Sequence, residues 1–234
     1  MQVKAVRTRI FKEGEDLLTF IRAHIPSLKD GSILCVTSKI VALSEGRTAP
    51  VAHKTKLIAE ESEWAMPTKY AWLTIKDGTV MATAGIDESN ANGKIILLPK
   101  DSFVTASSLR KRLLKLYGIK HLGMMITDSR VLPLRSGVTG VAVGYAGFKG
   151  VMDYRGQADI FGRKLKMTQV NVADALATFA VLEMGEGNEQ RPLAVVSGAS
   201  VVFVVKVNRN ELKIDIQDDL YRPLFDKLPK KVRR

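Results

Sequence analysis

Residues 144 to 162 read "GYAGFKGVMDYRGQADIFG", with glycines at 144, 147, 150, 156 and 162 around Asp153, Arg155 and Asp159. A helix does not survive that spacing, since each interior glycine costs about 1 kcal/mol relative to alanine. Glycine at this density serves a backbone that turns sharply or is closely approached. Leading into the stretch, and overlapping its start, "GVTGVAVGYAG" reads as a strand of a glycine-rich sheet.

The remaining elements alternate without a βαβ rhythm. Strands are expected at "QVKAVRTRI", "DGSILCVTS", "KIILLP", "LGMMIT" and "PLAVVSG". A hairpin is expected in "YAWLTIKDGTVMATAG", where Asp77 and Gly78 tolerate positive φ. A second is expected in "VVFVVKVNRNELKIDI". Helices are expected at "EDLLTFIRAHI", at "HKTKLIAEESEWAM" up to Pro67, at "QVNVADALATFAVLEM" between a Thr168 cap and Gly185, and near "DDLYRPLF". The clearest helix starts at Asp101 or Ser102, carries Leu109, Leu113 and Leu116 on one face, and stops at Gly118. Its Arg110, Lys111, Arg112 and Lys115 occupy the other faces, as a solvated surface would. The fold class is α+β with mixed sheets.

At 234 residues, with 46% hydrophobic and 26% charged, the chain can bury a real core. Its longest uncharged apolar run, around "ASVVFVVKV", is too short for a bilayer, and the opening lacks a signal peptide's apolar core. Cys35 is the sole cysteine, which excludes an internal disulfide and a cysteine-rich metal site; a reducing cytoplasm is the expected location. The net charge of +12 suits anionic partners. Aromatic residues are only 6%, however, and nucleic-acid motifs are absent, so no specific nucleic acid and no membrane is expected among the partners.

Phosphate-loop, dinucleotide and serine-hydrolase motifs are missing, and His24, His53 and His121 stand apart from one another. Carboxylates remain, in small glycine-flanked groups: "AGIDESN", "ITDSR", "MDYRGQAD" and "EMGEGNE". Asp87 follows a strand beside Ser89 and Asn90, Asp128 ends the strand "LGMMI" with Ser129 after it, and Glu186 lies between two glycines past a helix end. Hard oxygen ligands of this kind suit Mg²⁺ or Mn²⁺ with phosphate oxygens completing the shell. Taken singly, each carboxylate can equally be a cap or a turn residue.

"IFKEGEDL", "SKIVALSEGR", "AGIDESN", "ITDS", "GVTGVAVGYAG", "DYRGQADIFGRKL", "T..NVADALA" and "MGEG" follow one another in an order that resembles the coenzyme F-420:L-glutamate ligases, the coenzyme F-420-0 gamma-glutamyl ligases. The resemblance covers residues 1–198 as a ligase-like domain, leaving 199–234 as a divergent C-terminal hairpin, helix and basic tail packed on it. It implies an α+β fold of the family's own, an intertwined homodimer, and the joining of L-glutamate to an acceptor carboxylate with GTP and Mg²⁺ or Mn²⁺.

Carried over position by position, the resemblance implies metal ligation by Asp87, Asp128, Ser129 and Glu186. It implies nucleotide contacts at Arg9, Ile10, Phe11, Lys12, Ser38, Lys39, Ile40, Val41, Glu45, Asn90, Met184, Gly185, Glu186 and Gly187. Asp87, Asp128, Glu186 and Lys39 would carry the chemistry, and Arg130, Arg135, Asp153, Arg155 and Asp159 would meet the small-molecule acceptor. For the last three a structural turn network tied by Arg155 is an equal reading. The family's Gly-Arg pair after "TDS" is replaced here by "RVLPLR". That change opens alternatives: another acceptor such as a folate, a polycarboxylate or a peptide, or a non-catalytic polyanion-binding protein on the same scaffold.

Overall fold

The computed structural model describes residues 1–225. The chain opens with β1 (Gln2–Val6), α1 (Leu17–His24), β2 (Ser32–Thr37) and α2 (Ser38–Ser44). A smaller section follows, made of β3 (Thr48–Pro50), α3 (Lys54–Glu61), β4 (Trp64–Pro67), β5 (Trp72–Lys76), β6 (Thr79–Ala82) and β7 (Lys94–Ile96). The chain returns through α4 (Ser102–Tyr117), β8 (Leu122–Val131), β9 (Val138–Ala146), β10 (Val151–Asp153) and β11 (Gln169–Asn171). It finishes with α5 (Val172–Met184), β12 (Leu193–Ser197) and the short α6 (Arg222–Phe225). The α+β class holds.

Five strands form one mixed sheet in the order β1-β12-β2-β8-β9, and within it only β2 and β8 run parallel. A strand at the centre of a covered sheet reads as an unbroken apolar run, and β2 does. Its Leu34 and Val36 join Phe20 and Ile21 of α1 and Leu109 and Leu113 of α4. Its Ile33 and Cys35 point the other way, to Ala173, Ala177 and Ala180 of α5. The sheet is thus sandwiched between helices. Leu113 is fully buried, so trimming such a residue to alanine costs about 2–5 kcal/mol.

α4 follows its sequence signals closely. The Asp101 carboxylate accepts from Val104 N at 3.0 Å, and Gly118 closes the helix in the left-handed conformation. Arg110 departs from the solvated face: its Nε donates to the Leu122 carbonyl at 2.7 Å. Of the dense glycines, Gly144, Gly147 and Gly150 are closely approached, whereas Gly156 and Gly162 face open space and adopt positive φ. A Cβ on Gly144 would lie 2.5 Å from the Ser102 carbonyl carbon, and one on Gly150 only 2.2 Å from the Tyr145 hydroxyl. What approaches this backbone is the protein itself, which lets the start of α4 rest directly on β9.

Four expectations need correction. Asn171, not Thr168, caps α5, because Gln169–Asn171 first pairs with Val151–Asp153 as a strand. The helix before Pro67 ends at Glu61, and Trp64–Pro67 becomes an edge strand beside β5, where a proline is tolerated. Asp128 does not end its strand, since β8 continues, paired with β9, as far as Val131. The hairpin expected at 201–216 does not form. Val201, Phe203, Val207 and Leu212 are drawn onto the core beneath α5, and backbone bonds run from Val204 N to Gly147 O and from Lys149 N to Val202 O, both 2.9 Å. Within this segment Glu211 accepts from the Tyr145 hydroxyl and from Gly150 N, both at 2.7 Å. The basic tail lies outside the described residues. Among them, no helix is long and apolar enough to cross a membrane.

Candidate active site

A cavity of about 860 Å³ opens between the central sheet and the section formed by residues 48–98, lined by both and by the loop after α5. That volume is within the usual range for small-molecule sites, about 300–1,000 Å³. Arg9, Lys12, Lys39, Lys94 and Arg191 bring positive charge to its wall; Asp87, Asp128 and Glu186 bring carboxylates.

Each group is set by its element. Lys39 is the second residue of α2, which begins where β2 leaves the sheet. Its neighbour Ser38 donates to Asp128 Oδ1 at 3.3 Å. Asp128 follows a register shift in β8 between Ile126 and Thr127, the kind of bulge that re-aims side chains. Asp87 is delivered by a left-handed turn, with φ of 56° at Thr83, 54° at Ala84 and 71° at Gly85. Left-handed non-glycine residues cost of order 1–3 kcal/mol each, so such a turn must be held. The buried Thr74 hydroxyl does so, donating to Met81 O at 2.7 Å and accepting from Ala84 N at 2.9 Å. Asp87 then exchanges backbone bonds with Ile96, at 3.0 and 2.8 Å.

Glu186 projects from a loop folded around Glu189, whose carboxylate accepts from Gly187 N at 2.8 Å. Gly185 turns the chain into this loop with φ of 81° and ψ of 169°, a conformation essentially reserved for glycine. Two contacts pin the loop to the sheet and to the small section: Ser129 Oγ to Glu186 Oε2 at 3.3 Å, and Asn90 Nδ2 to Gly187 O at 3.2 Å.

The carboxylates differ electrostatically. Burial pushes the Asp87 carboxyl up, but hydrogen bonds from Lys39 and Ser89 outweigh it and hold the group below its ordinary value. Burial raises Asp128, with Asp87 adding to it against Arg130 and Ser38. Burial also raises Glu186, again helped by Asp128 and Asp87. The last two acids are therefore short of positive charge.

The structure brings most of the expected residues together. Arg9, Ile10, Phe11, Lys12, Lys39, Ile40, Asp87, Asn90, Asp128, Ser129, Met184, Gly185, Glu186 and Gly187 line the one cavity, and Ser38 lines an adjoining crevice. Val41 lies fully buried in the core behind. Glu45 is engaged elsewhere, accepting from Lys100 N at 2.7 Å and the Thr105 hydroxyl at 2.8 Å. Arg130, Arg135, Asp153, Arg155 and Asp159 lie outside the lining. Arg155 pairs with Asp153 at 2.6 Å, and Asp159 accepts from Phe161 N and Arg163 N at 2.9 and 2.8 Å, which is the turn-network arrangement. Thr8, Lys94, Glu189 and Arg191 also line the cavity and were not singled out by sequence. Glu189 had a signal, a second glutamate three residues after Glu186 across Gly187; Lys94 had none.

The donor chemistry fits a hard divalent cation: oxygen ligands only, two of them acids raised by burial and by neighbouring carboxylates. As placed, no three acidic, imidazole or thiol groups among the described residues stand close enough to chelate an ion together.

Comparison with known proteins puts the chain among the ligases. More narrowly, residues 5–198 match the F420-0:gamma-glutamyl ligase family, and the chain belongs to it. It is 34% identical to the coenzyme F420:L-glutamate ligase of Archaeoglobus fulgidus over 213 residues, 82% of this chain and 85% of that one. It is 33% identical to the enzyme of the same name from Methanocaldococcus jannaschii over 225 residues, 87% of this chain and 90% of that one.

Proposed function

We propose that this ligase joins the amine of L-glutamate to a carboxylate of a coenzyme F-420-like precursor, using GTP and Mg²⁺ or Mn²⁺. One observation carries the reading: Lys39, Asp87, Asp128 and Glu186, from four separated segments, meet on a single ligand-sized cavity in a chain of this family.

A carboxylate oxygen is too poor a leaving group for direct attack by an amine. An acceptor oxygen attacks the γ-phosphorus, the bond to the bridging oxygen breaks, and GDP departs with the electron pair. The amine nitrogen then attacks the acyl carbon of the resulting acyl phosphate, phosphate leaves, and the nitrogen loses a proton. Phosphoryl transfer demands mainly positioning and neutralised charge. Arg9 and Lys12 from the opening segment, and Lys39 from α2, supply positive charge at the cavity wall. Asp87, Asp128 and Glu186, with Ser129, would hold the divalent ion, which supplies charge neutralisation at the phosphates. Ser38 and Ser129 orient Asp128 and Glu186 through their hydroxyls.

The active form is a homodimer. On α5, Phe179 and Leu182 are 43% and 74% exposed, and Ile160 and Phe161 beyond β10 are 91% and 88% exposed, apolar surface that a second copy would cover. Light scattering at micromolar concentration checks this, and a monomer mass counts against it.

The function is tested by glutamate-dependent GTP hydrolysis with a deazaflavin precursor, a folate and a carboxylated peptide, each product weighed by mass spectrometry. Glutamate added to the deazaflavin supports the reading. Exclusive addition to another acceptor moves the substrate while keeping the chemistry. No addition to any acceptor, with either metal, sinks it.

A further inference from the structure

Lys39 is not free to meet a phosphate in this structure. Its Nζ donates to Asp87 Oδ2 at 2.8 Å, to Ser89 O at 3.0 Å and to Ser89 Oγ at 2.9 Å. An ammonium has three protons, so these acceptors use all of them. Asp87 is engaged at both oxygens, for Ser89 N donates to Oδ1 at 2.7 Å and Ser89 Oγ to Oδ2 at 2.9 Å, while its side chain keeps 47% exposure on the cavity side. The ion pair is half-sheltered, with the lysine side chain 24% exposed, so solvent screens it less than a surface pair.

Both partners line the same cavity as Asp128 and Glu186. A divalent ion arriving at Asp87 would stand next to an ammonium already bound there, and two cations at such range repel strongly. Lys39 and Asp87 therefore each hold the other away from the partner that ligation requires.

We propose that Lys39 is a built-in counter-cation for Asp87, which keeps a divalent ion off that carboxylate until an anionic nucleotide in the cavity draws the ammonium away. The inference rests on the metal and nucleotide reading above. Its consequence is that the resting enzyme binds metal poorly, and that nucleotide and metal each strengthen the other's binding, as linkage requires. An empty enzyme then has no assembled cation site with which to hydrolyse or misplace a phosphoryl group.

Mn²⁺ binding to the full chain, followed by loss of the free-ion paramagnetic resonance signal, decides it. Wild type, Lys39→Met and Ser89→Ala are compared with and without GDP, after thermal melts establish that each is folded. Lys39→Met should bind Mn²⁺ about tenfold or more tightly than wild type without nucleotide, an ordinary size for coupling between sites. Ser89→Ala, which loosens the lysine but keeps its charge, should shift affinity the same way by less. GDP should tighten Mn²⁺ binding more in wild type than in Lys39→Met. Equal or weaker nucleotide-free Mn²⁺ binding in Lys39→Met overturns the inference and leaves the metal reading standing. If that variant does not fold, unchanged affinity in Ser89→Ala overturns it instead. Absence of Mn²⁺ binding in every protein, with GDP present, overturns the metal reading and this inference with it.

Discussion

Ser129 Oγ donates to Glu186 Oε2 at 3.3 Å, tying the loop after α5 to the strand that carries Asp128. The carboxylates of two distant segments thus share one strand-edge anchor. Replacing Asp128 by asparagine keeps the shape of the side chain and removes a charge that burial disfavours. Thermal stability should hold or rise while ligation collapses, by on the order of 10³-fold, if a metal-assisted phosphoryl transfer loses a ligand. Turnover with limiting Mg²⁺, read beside a melting curve, checks both halves; near-normal turnover would remove Asp128 from the mechanism.

Thr74 holds the left-handed turn before Asp87 through its hydroxyl alone. Thr74→Val strands the buried Ala84 amide without a partner and should cost about 1–3 kcal/mol. The urea midpoint should fall, and amide exchange should quicken at Ala84 and Ile86. An unchanged midpoint would mean that the turn is held by Leu98 packing on Gly85 instead.

Glu61 joins Arg47 at 2.7 Å and Lys76 at 2.5 Å, linking α3 to β5 and to the entry of β3. Burial opposes its charge, but Lys76 and Arg47 together hold the carboxyl below its ordinary value of 4.5. A group depressed on folding stabilises above its unfolded pKa, and that contribution is lost as pH falls through the folded value. Glu61→Gln should therefore be less stable than wild type at neutral pH, by about 2 kcal/mol from lost charged hydrogen bonds. The gap should narrow as pH drops below 4.5. A gap that does not vary with pH, measured by denaturant melts across that window, refutes the assignment.

The family match ends at residue 198, but the fold does not. Glu211 bridges Tyr145 and Gly150, Arg209 pairs with Asp101 at 3.0 Å, and Phe203 pairs in a β-bridge with fully buried Phe148. Truncation after residue 198 should expose Phe148 and Tyr145, each large aromatic costing about 1.5–3 kcal/mol when unburied. The shortened chain should melt well below the full one or aggregate. Equal melting temperatures would show the segment to be an ornament.

Leu182, on the outer side of α5, is exposed in the single chain. If the proposed homodimer meets through α5, Leu182→Asp should leave the circular dichroism intact and shift the mass seen by light scattering from dimer to monomer. A dimer that survives the substitution would move the interface off α5.

Local rules carried much of the chain. The α4 helix was legible from its Asp101 cap, its leucine spacing and Gly118, because these act within a few residues and the structure obeys each. The "KDG" hairpin was legible for the same reason: Asp77 and Gly78 adopt φ of 53° and 71° as that turn requires. Family resemblance then pointed to carboxylates and to a lysine 48 residues from its partner Asp87. Only the tertiary structure decided how they meet. Thr168 lost its cap to Asn171 because strand pairing claimed the residues between them, and the C-terminal hairpin dissolved because its apolar side chains were worth more on the core than against one another. The cavity and the occupation of Asp87 by Lys39 both depend on contacts between separated segments. Periodicity and caps report what a residue does to its neighbours in sequence. Long-range packing chooses between partners that are each locally acceptable, and that choice is made only when the sheet, α2 and the small section close on one another.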